Sequence, residues 1–358
     1  MAQYNPSMLA LAREWRQVTQ NELASRLSIT QGKLSKMESG VLPISEEMAS
    51  RIAAELVCPI SFFEQTDQLY GPGVGELYHR KRHSASKKLM QNLYAGINVR
   101  RIHVDRLLRG AEAIDCKIFD HDIDEYDGRA DEIARMVRAE WTLEYGPIKN
   151  VTESIEQAGG IIIPCNFGTR LIDGMSRWVP GLPPLFFINK DLPPDRWRFT
   201  LCHELAHLIM HRTPNLNMER QANEFAAEFL MPKDQIRSML NDVNLPQLIR
   251  LKEHWRVAMS ALLKRTEDLG KITSRQARYL WMRMSATGMK AHEPFEHLVP
   301  VEEATTLKEL IQVHFTDLGY SVDELCKLLS VETQDLYSLY PFAMGNAPKS
   351  HLSIIKNS

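Results

Sequence analysis

At roughly 150 residues per domain, a chain of 358 residues predicts two or three domains. Hydrophobic residues make up 44% and charged residues 25%, the balance of an ordinary globular chain. Lys+Arg 43 against Asp+Glu 45 gives a formal charge of -2, which excludes a strong overall field toward nucleic acid or membrane. Any nucleic-acid contact must come from a local patch.

No apolar run approaches the roughly 18 residues needed to span a bilayer. The stretch MAQYNPSMLALAREWRQ has neither a basic n-region nor a small-residue cleavage site, so no secretory signal is expected. The five cysteines (Cys58, Cys116, Cys165, Cys202, Cys326) are far apart and never form C-x-x-C. This pattern excludes a disulfide framework or zinc ribbon and fits a reducing compartment, so a cytoplasmic protein is expected.

Residues 6 to about 65 read as short helices without a strand. Thr19 and Glu22 form a capping box that opens a helix with Leu23, Ala24 and Leu27 inward. A turn at Ser28-Ile29 leads to a second helix with Leu34 and Met37 inward and Gln31, Lys33, Ser35 and Lys36 outward. Two short helices on a tight turn, with small Ala24 permitting close approach, make a helix-turn-helix. Amide side chains suit adenine edges, and lysines suit guanine or phosphate. Over residues 1–65 there are six Lys/Arg and seven Asp/Glu, so a monomer should bind DNA weakly. A two-fold dimer on a split operator would strengthen that binding.

This segment resembles the Xre-type (Cro/λ-repressor-like) domains, following T-Q-x-x-L-A … Q-x-x-[IL]-S-x-[IM]-E-x-G over residues 6–65. The resemblance implies DNA contacts from Gln20, Thr30, Gln31, Lys33, Lys36 and Ser39. Ser28 stands where the family often has Gly; if the turn needs positive φ, Ser there costs about 1 kcal/mol. Gly32 removes one possible reading side chain.

Between Thr66 and Gly110 nine Lys/Arg face three Asp/Glu. The segment reads as a solvated linker leading into a surface helix, or, more sharply, as a basic brace beside a DNA backbone.

From Asp127 the pattern becomes mixed. DEIARMVRAEW (131–141) and VTESIEQAGG (151–160) have helical spacing, the second ended by Gly. IIIPC (161–165), RLIDGMSRWV (170–179) and PLFFINK (184–190) read as strands. Helices follow from about Pro194 to His211 and from Met218 to Leu230, the latter stopped by Pro232.

The first of these helices holds His203-Glu204-Leu205-Ala206-His207, the H-E-x-x-H pattern. Residues i and i+4 share a helix face, so both imidazoles can reach one metal, while Glu204, about 100° round the helix, is placed to act on water as general base. A catalytic site needs a third protein ligand. His211 lies about 12 Å along the axis from His203, too far to share a metal with it. Thr213 stands where the metzincin third His would be. The next helix offers Glu219, Glu224 and Glu228. Two histidines and one carboxylate favour zinc.

RFTLCHELAHLIMH followed by ERQANEFAAEFLMP resembles the ImmA/IrrE family of zinc metallopeptidases, whose pattern reads R-F-T-x-x-H-E-x-x-H-x-x-x-H, then E-x-x-A-N-x-F-A-A-x-x-L-M-P. The likeness extends over roughly 125–290. It implies Glu219 as third ligand, Gln221 as a position that cannot ligate, and limited cleavage of a protein, often a repressor. Cys202 is expected to pack.

The segments HWRVAMSALLKRTEDLGKI and LGYSVDELCKLLSVETQDLYSLY look superficially like helix-turn-helices. Their periods are read as helices packing on the peptidase core or on a dimer partner. No internal repeat is evident, and the tail after Pro341 is expected to be partly disordered.

The sequence therefore predicts a mainly α chain with a small β-sheet. Residues 1–66 form a five-helix helix-turn-helix domain and 67–125 a basic, partly helical connector. Residues 126–290 form an α+β zincin-like (gluzincin) peptidase, and 291–358 a helical C-terminal region. The expected function is a DNA-binding regulator fused to a zinc endopeptidase: His203, His207 and Glu219 bind Zn2+ and Glu204 is catalytic. Expected partners are operator DNA, a protein substrate and a second copy of the chain, with no membrane. The resemblance suggests control of stress, mobile-element or toxin–antitoxin genes. The alternative is a transcription factor or toxin–antitoxin component whose metal domain is a non-catalytic sensor or dimerisation module.

Overall fold

The computed structural model describes residues 4–71, 86–111, 115–289, 293–294 and 296–345. The start of the basic run, 79–85, and the tail from 346 lie outside the described residues. The chain divides into two compact units. Among the described residues, the first holds 4–71, 86–111 and 306–345, and the second those between 115 and 305.

The first unit opens with α1 (Pro6–Trp15), α2 (Gln20–Arg26), α3 (Gln31–Glu38) and α4 (Glu46–Leu56), followed by a 3-10 turn at Ile60–Glu64. Each helix starts where a side chain can take an orphan N–H: Asn5, Thr19, Thr30 and Ser45 accept from the first turn, and Thr19 with Glu22 closes a reciprocal box. Leu9, Leu23, Leu34, Ile52 and Phe62 fill the interior. Each such side chain contributes about 1.5–3 kcal/mol by leaving water.

The next helix, α5 (Lys87–Leu108), differs from its expected role as connector and surface helix. It is buried along most of its length, by Met90, Leu93, Val99, Val104 and Leu107 among others. Its arginines are held inside the unit, so the basic-brace reading fails for them. Arg101 donates to the Gln68 carbonyl, and Arg106 to the Leu328 carbonyl, Ser330, Gln65 and Asp67. A helix covered on most of its sides is a core helix, and basic residues long enough to reach carbonyls do not alter that.

The second unit contains α6 (Ala130–Glu140), α7 (Val151–Gln157), β1 (Ile161–Cys165), β2 (Gly174–Arg177) and β3 (Leu185–Asn189). The helices α8 (Pro194–Met210), α9 (Met218–Leu230), α10 (Lys233–Ile236), α11 (Leu245–Trp255), α12 (Met259–Asp268) and α13 (Ser274–Ala286) follow. The sheet order is β1-β3-β2. β1 runs parallel to β3 with Ile161 opposite Leu185, and β2 runs antiparallel with Gly174 opposite Ile188. The near-continuous apolar runs of β1 and β3 match their burial on both faces. β2 is shorter than its sequence pattern, because Val179 begins a turn closed by Leu182 and the exposed residues around Leu171 precede it.

Helix α8 packs on the sheet and on α9, which in turn packs on α6. Leu201, Leu205 and Ile209 of α8 meet one apolar cluster with Phe225 and Phe229 of α9 and Ile133 and Val137 of α6. Lys252, fully buried, bonds Asp195 at 2.5 Å and Glu293 at 2.8 Å.

The helices α14 (Thr306–Thr316), α15 (Val322–Leu329) and α16 (Thr333–Leu339) belong to the first unit. Of the two segments expected to pack on the peptidase core or on a dimer partner, 254–272 joins the apolar cluster of the second unit through Trp255, Met259 and Leu262, whereas 318–340 falls in the first. Both α14 and α15 lie on α5, and His103 Nδ1 of α5 lies 2.9 Å from Tyr340 Oη.

Candidate metal centre and nucleic-acid interface

On α8 the four-residue spacing places His203 and His207 side by side, with their Nε2 atoms 3.0 Å apart. The reversal after Met210 returns the chain as α9, and Glu219 in its first turn meets the pair. Glu219 Oε2 lies 3.8 Å from His203 Nε2, and Oε1 lies 3.5 Å from His207 Nε2. The three residues offer ligand atoms all within 4.8 Å of one another. A tetrahedral zinc with bonds of 2.0–2.2 Å sets its donors about 3.4 Å apart, so the donor set and its spacing fit zinc.

The other two glutamates of α9 face elsewhere. Glu224 is half-buried and pairs with Arg220 at 2.5 Å. Glu228 is buried, pairs with Arg265 and accepts from the Lys233 N–H at 3.1 Å. His211, placed too far along the axis to share a metal with His203, stands behind the pair. Its Nδ1 is 3.0 Å from His207 Nδ1, and its Nε2 is 3.1 Å from Gln221 Oε1. Burial, reinforced by the neighbouring His207, lowers His211 to about 4, so it stays neutral at physiological pH.

Glu204 is 4% exposed on an adjacent face of α8. The Ser176 hydroxyl of β2 donates to Glu204 Oε2 at 2.8 Å. Gly174 permits that approach: a Cβ there would stand 2.8 Å from Thr200 Cγ2 and 3.2 Å from Glu204 Cγ. Neither Ser176 nor Gly174 stood out in the sequence; the only signal was their place in a short strand, IDGMSRW. Cys202 is fully buried on another face, and burial pushes its thiol well above the ordinary range, consistent with packing.

A cleft of about 780 Å³ runs past Glu204 and His207, walled by Phe119, Trp178, Leu182 and Arg212. The cavity of about 830 Å³ beside α8, α9 and α12 contains none of the histidines.

In the first unit α3 presents Gln31, Lys33 and Lys36 to solvent. Thr30 caps the helix by accepting from the Lys33 N–H at 3.2 Å. Gln31 Nε2 donates to Gln20 Oε1 at 2.7 Å, Gln20 Nε2 to Glu38 at 2.6 Å, and Arg13 holds Glu38 in turn at 2.5 Å. This chain fixes the Gln31 amide from behind. Ser39 is exposed and donates to the Lys36 carbonyl. Ser28 has φ of 55°, so the turn does require the left-handed region.

Residues 155–267 match the family model of the IrrE N-terminal-like domain, a peptidase family, and residues 9–63 match a helix-turn-helix model. Among curated proteins, none matches this chain. No helix among the described residues is long and apolar enough to cross a membrane. The chain thus carries a DNA-binding module and a metallopeptidase-like domain.

Proposed function

We propose that this chain, which joins a helix-turn-helix to an IrrE N-terminal-like peptidase domain, is a cytoplasmic transcriptional regulator with its own zinc endopeptidase of the gluzincin kind. Its substrate is a regulatory protein, cut at a limited number of bonds. The observation that carries this reading is the gathering of His203, His207 and Glu219 beside a buried carboxylate, Glu204, with His207 and Glu204 lining one cleft.

His203, His207 and Glu219 hold the zinc, which when bound supplies Lewis acidity toward water and the scissile carbonyl. Glu204, oriented by Ser176, takes a proton from the attacking water and passes it to the leaving amine. β2, an edge strand whose only ladder among the described residues is with β3, aligns an extended substrate by strand addition. Phe119 and Trp178, both partly exposed in the cleft, seat apolar side chains.

Gln31, steadied by Gln20, reads a base edge; Lys33 and Lys36 meet phosphate or guanine; Thr30 and Ser39 meet the backbone. The connector and C-terminal modules expected at 67–125 and 291–358 do not stand apart: the DNA-reading unit takes in 86–111 and 306–345, and the peptidase unit the described residues between 115 and 305. A homodimer on a two-fold operator offsets the low charge of the reader. The genes controlled belong to stress, mobile-element or toxin–antitoxin systems.

The test is incubation of the full chain with repressors encoded by neighbouring genes, comparing wild type with Glu204→Gln and measuring bound metal in both. Discrete fragments from wild type alone support the enzyme. Identical behaviour with metal retained supports the second reading, a regulator whose metal domain senses or dimerises, which the attached DNA reader favours.

A further inference from the structure

The two ends of the chain fold the same way. With a constant offset of 302 residues, the ranges of α2 and α3 align in register with those of α15 and α16. Thr19 and Ser321 both open a capping box, with Glu22 and Glu324 as reciprocal partners. Leu23, Leu27 and Leu34 are buried, and so are Leu325, Leu329 and Leu336. Ser28 and Ser330 both sit in the left-handed region, at φ of 55° and 54°. The turn is closed by Ile29 N to Ala24 O in one copy and Val331 N to Cys326 O in the other, each 3.0 Å. The preceding turns match as well: Gln17 and Gly319 have φ of 59° and 69°, and α1 and α14 both pack on α5. The expectation of no internal repeat is overturned, and it failed because few side chains are shared while the caps, turns and inward positions are.

We propose that residues 306–339 are a second copy of the helix-turn-helix core that has lost its DNA-reading chemistry and serves as an internal partner bracing the first copy. The charge argues against reading: residues 4–38 hold five Lys/Arg and three Asp/Glu, whereas 306–339 hold two and six. The second reading helix, TQDLYSL, has no Lys or Arg, and Glu332 takes the place of Thr30 where a phosphate would approach. DNA repels such a surface.

The helix face that remains free in the first copy is occupied in the second. Asp335, at the position of Lys33, is 9% exposed and accepts two hydrogen bonds of 2.6 Å from Arg16, at the end of α1. The same guanidinium donates to the carbonyls of Leu56, at 2.7 Å, and Val57, so one cation ties α1, the end of α4 and α16 together. From the other side Arg106 of α5 holds Ser330 in the second turn and Gln65 beyond the first copy. A planar, forked donor fits this bidentate arrangement in a way a lysine could not.

The test uses full-length Asp335→Arg, Arg16→Asp and the double charge reversal, read by thermal unfolding and by binding to a labelled mixed-sequence DNA duplex. Each single variant should lower the first unfolding midpoint by roughly 10 °C and weaken DNA binding, and the double reversal should lose clearly less than the two single losses summed, the Leu56 and Val57 carbonyls remaining without their donor. Should Asp335→Arg fail to fold, Asp335→Asn reads the same contact through faster amide exchange in residues 10–18. Unchanged midpoints and exchange in all variants would overturn the brace. Thr333→Ala and Gln334→Ala should leave duplex affinity unaltered, whereas Lys33→Ala should weaken it severalfold. Equal losses from both copies would make the second a reader and overturn the proposal. If no version binds DNA, the DNA-reading assignment falls, and the midpoints still decide the brace.

Discussion

His211 Nδ1 stands 3.0 Å from His207 Nδ1, with its other nitrogen on Gln221. The arrangement fixes one tautomer along the line: His207 donates from Nδ1 to His211, His211 donates from Nε2 to Gln221, and His207 Nε2 is left as a lone pair beside Glu219. Such support behind a ligand is worth roughly 10- to 100-fold in metal affinity. His211→Ala should weaken zinc binding by about that factor, measured by competition with a chelator. An unchanged affinity would remove His211 from the site.

Ser176 and Glu204 offer a separate test. Ser176→Ala removes a donor worth about 1 kcal/mol to the carboxylate, so cleavage should slow about fivefold while bound metal stays constant. Loss of metal in that variant would show that Ser176 supports the fold of the site rather than its base.

Ser28 occupies a left-handed turn at φ of 55°. Glycine has no Cβ to strain there, so Ser28→Gly should stabilise the first unit by up to about 1 kcal/mol, seen as a higher denaturant midpoint at constant slope. Destabilisation would mean that the turn depends on the Ser side chain.

His103 gives the first unit a pH dependence. Burial, with Arg106 and Arg100 nearby, lowers it from 6.5 to about 3, so the folded state keeps it neutral. Above about 6.5 it has no proton in either state and imposes no penalty. As pH falls below that value the unfolded chain takes a proton that the folded chain refuses. Stability then drops by up to about 1.4 kcal/mol per unit until about pH 3. His103→Gln should flatten that part of the stability profile, whatever its effect at neutral pH. An unaltered slope would show that other groups set the acid response.

The helix bearing His203 and His207 was legible because a four-residue period on an apolar helix specifies their shared face by itself. The choice among Glu219, Glu224 and Glu228 was open to the residues alone, since it depends on how sharply the chain turns between Met210 and Met218. Ser176 and Gly174 were illegible for a related reason: a strand 28 residues upstream reaches Glu204 only through the antiparallel pairing of β2 with β3. The burial of α5 is hidden in the sequence because its arginines signal solvent there, whereas Arg101 and Arg106 end on carbonyls and side chains inside the unit. The C-terminal helices carried recognisable caps, but which unit would receive them is a property of tertiary packing.

The proposed function requires α8 and α9 to grip one divalent ion between His203, His207 and Glu219. The most direct measurement is metal stoichiometry of the purified full-length protein, wild type against Glu219→Ala and Glu204→Gln. One zinc per chain is expected in wild type and in Glu204→Gln, and a loss of most of it in Glu219→Ala. Full occupancy in Glu219→Ala, or none in wild type supplied with zinc, would contradict it.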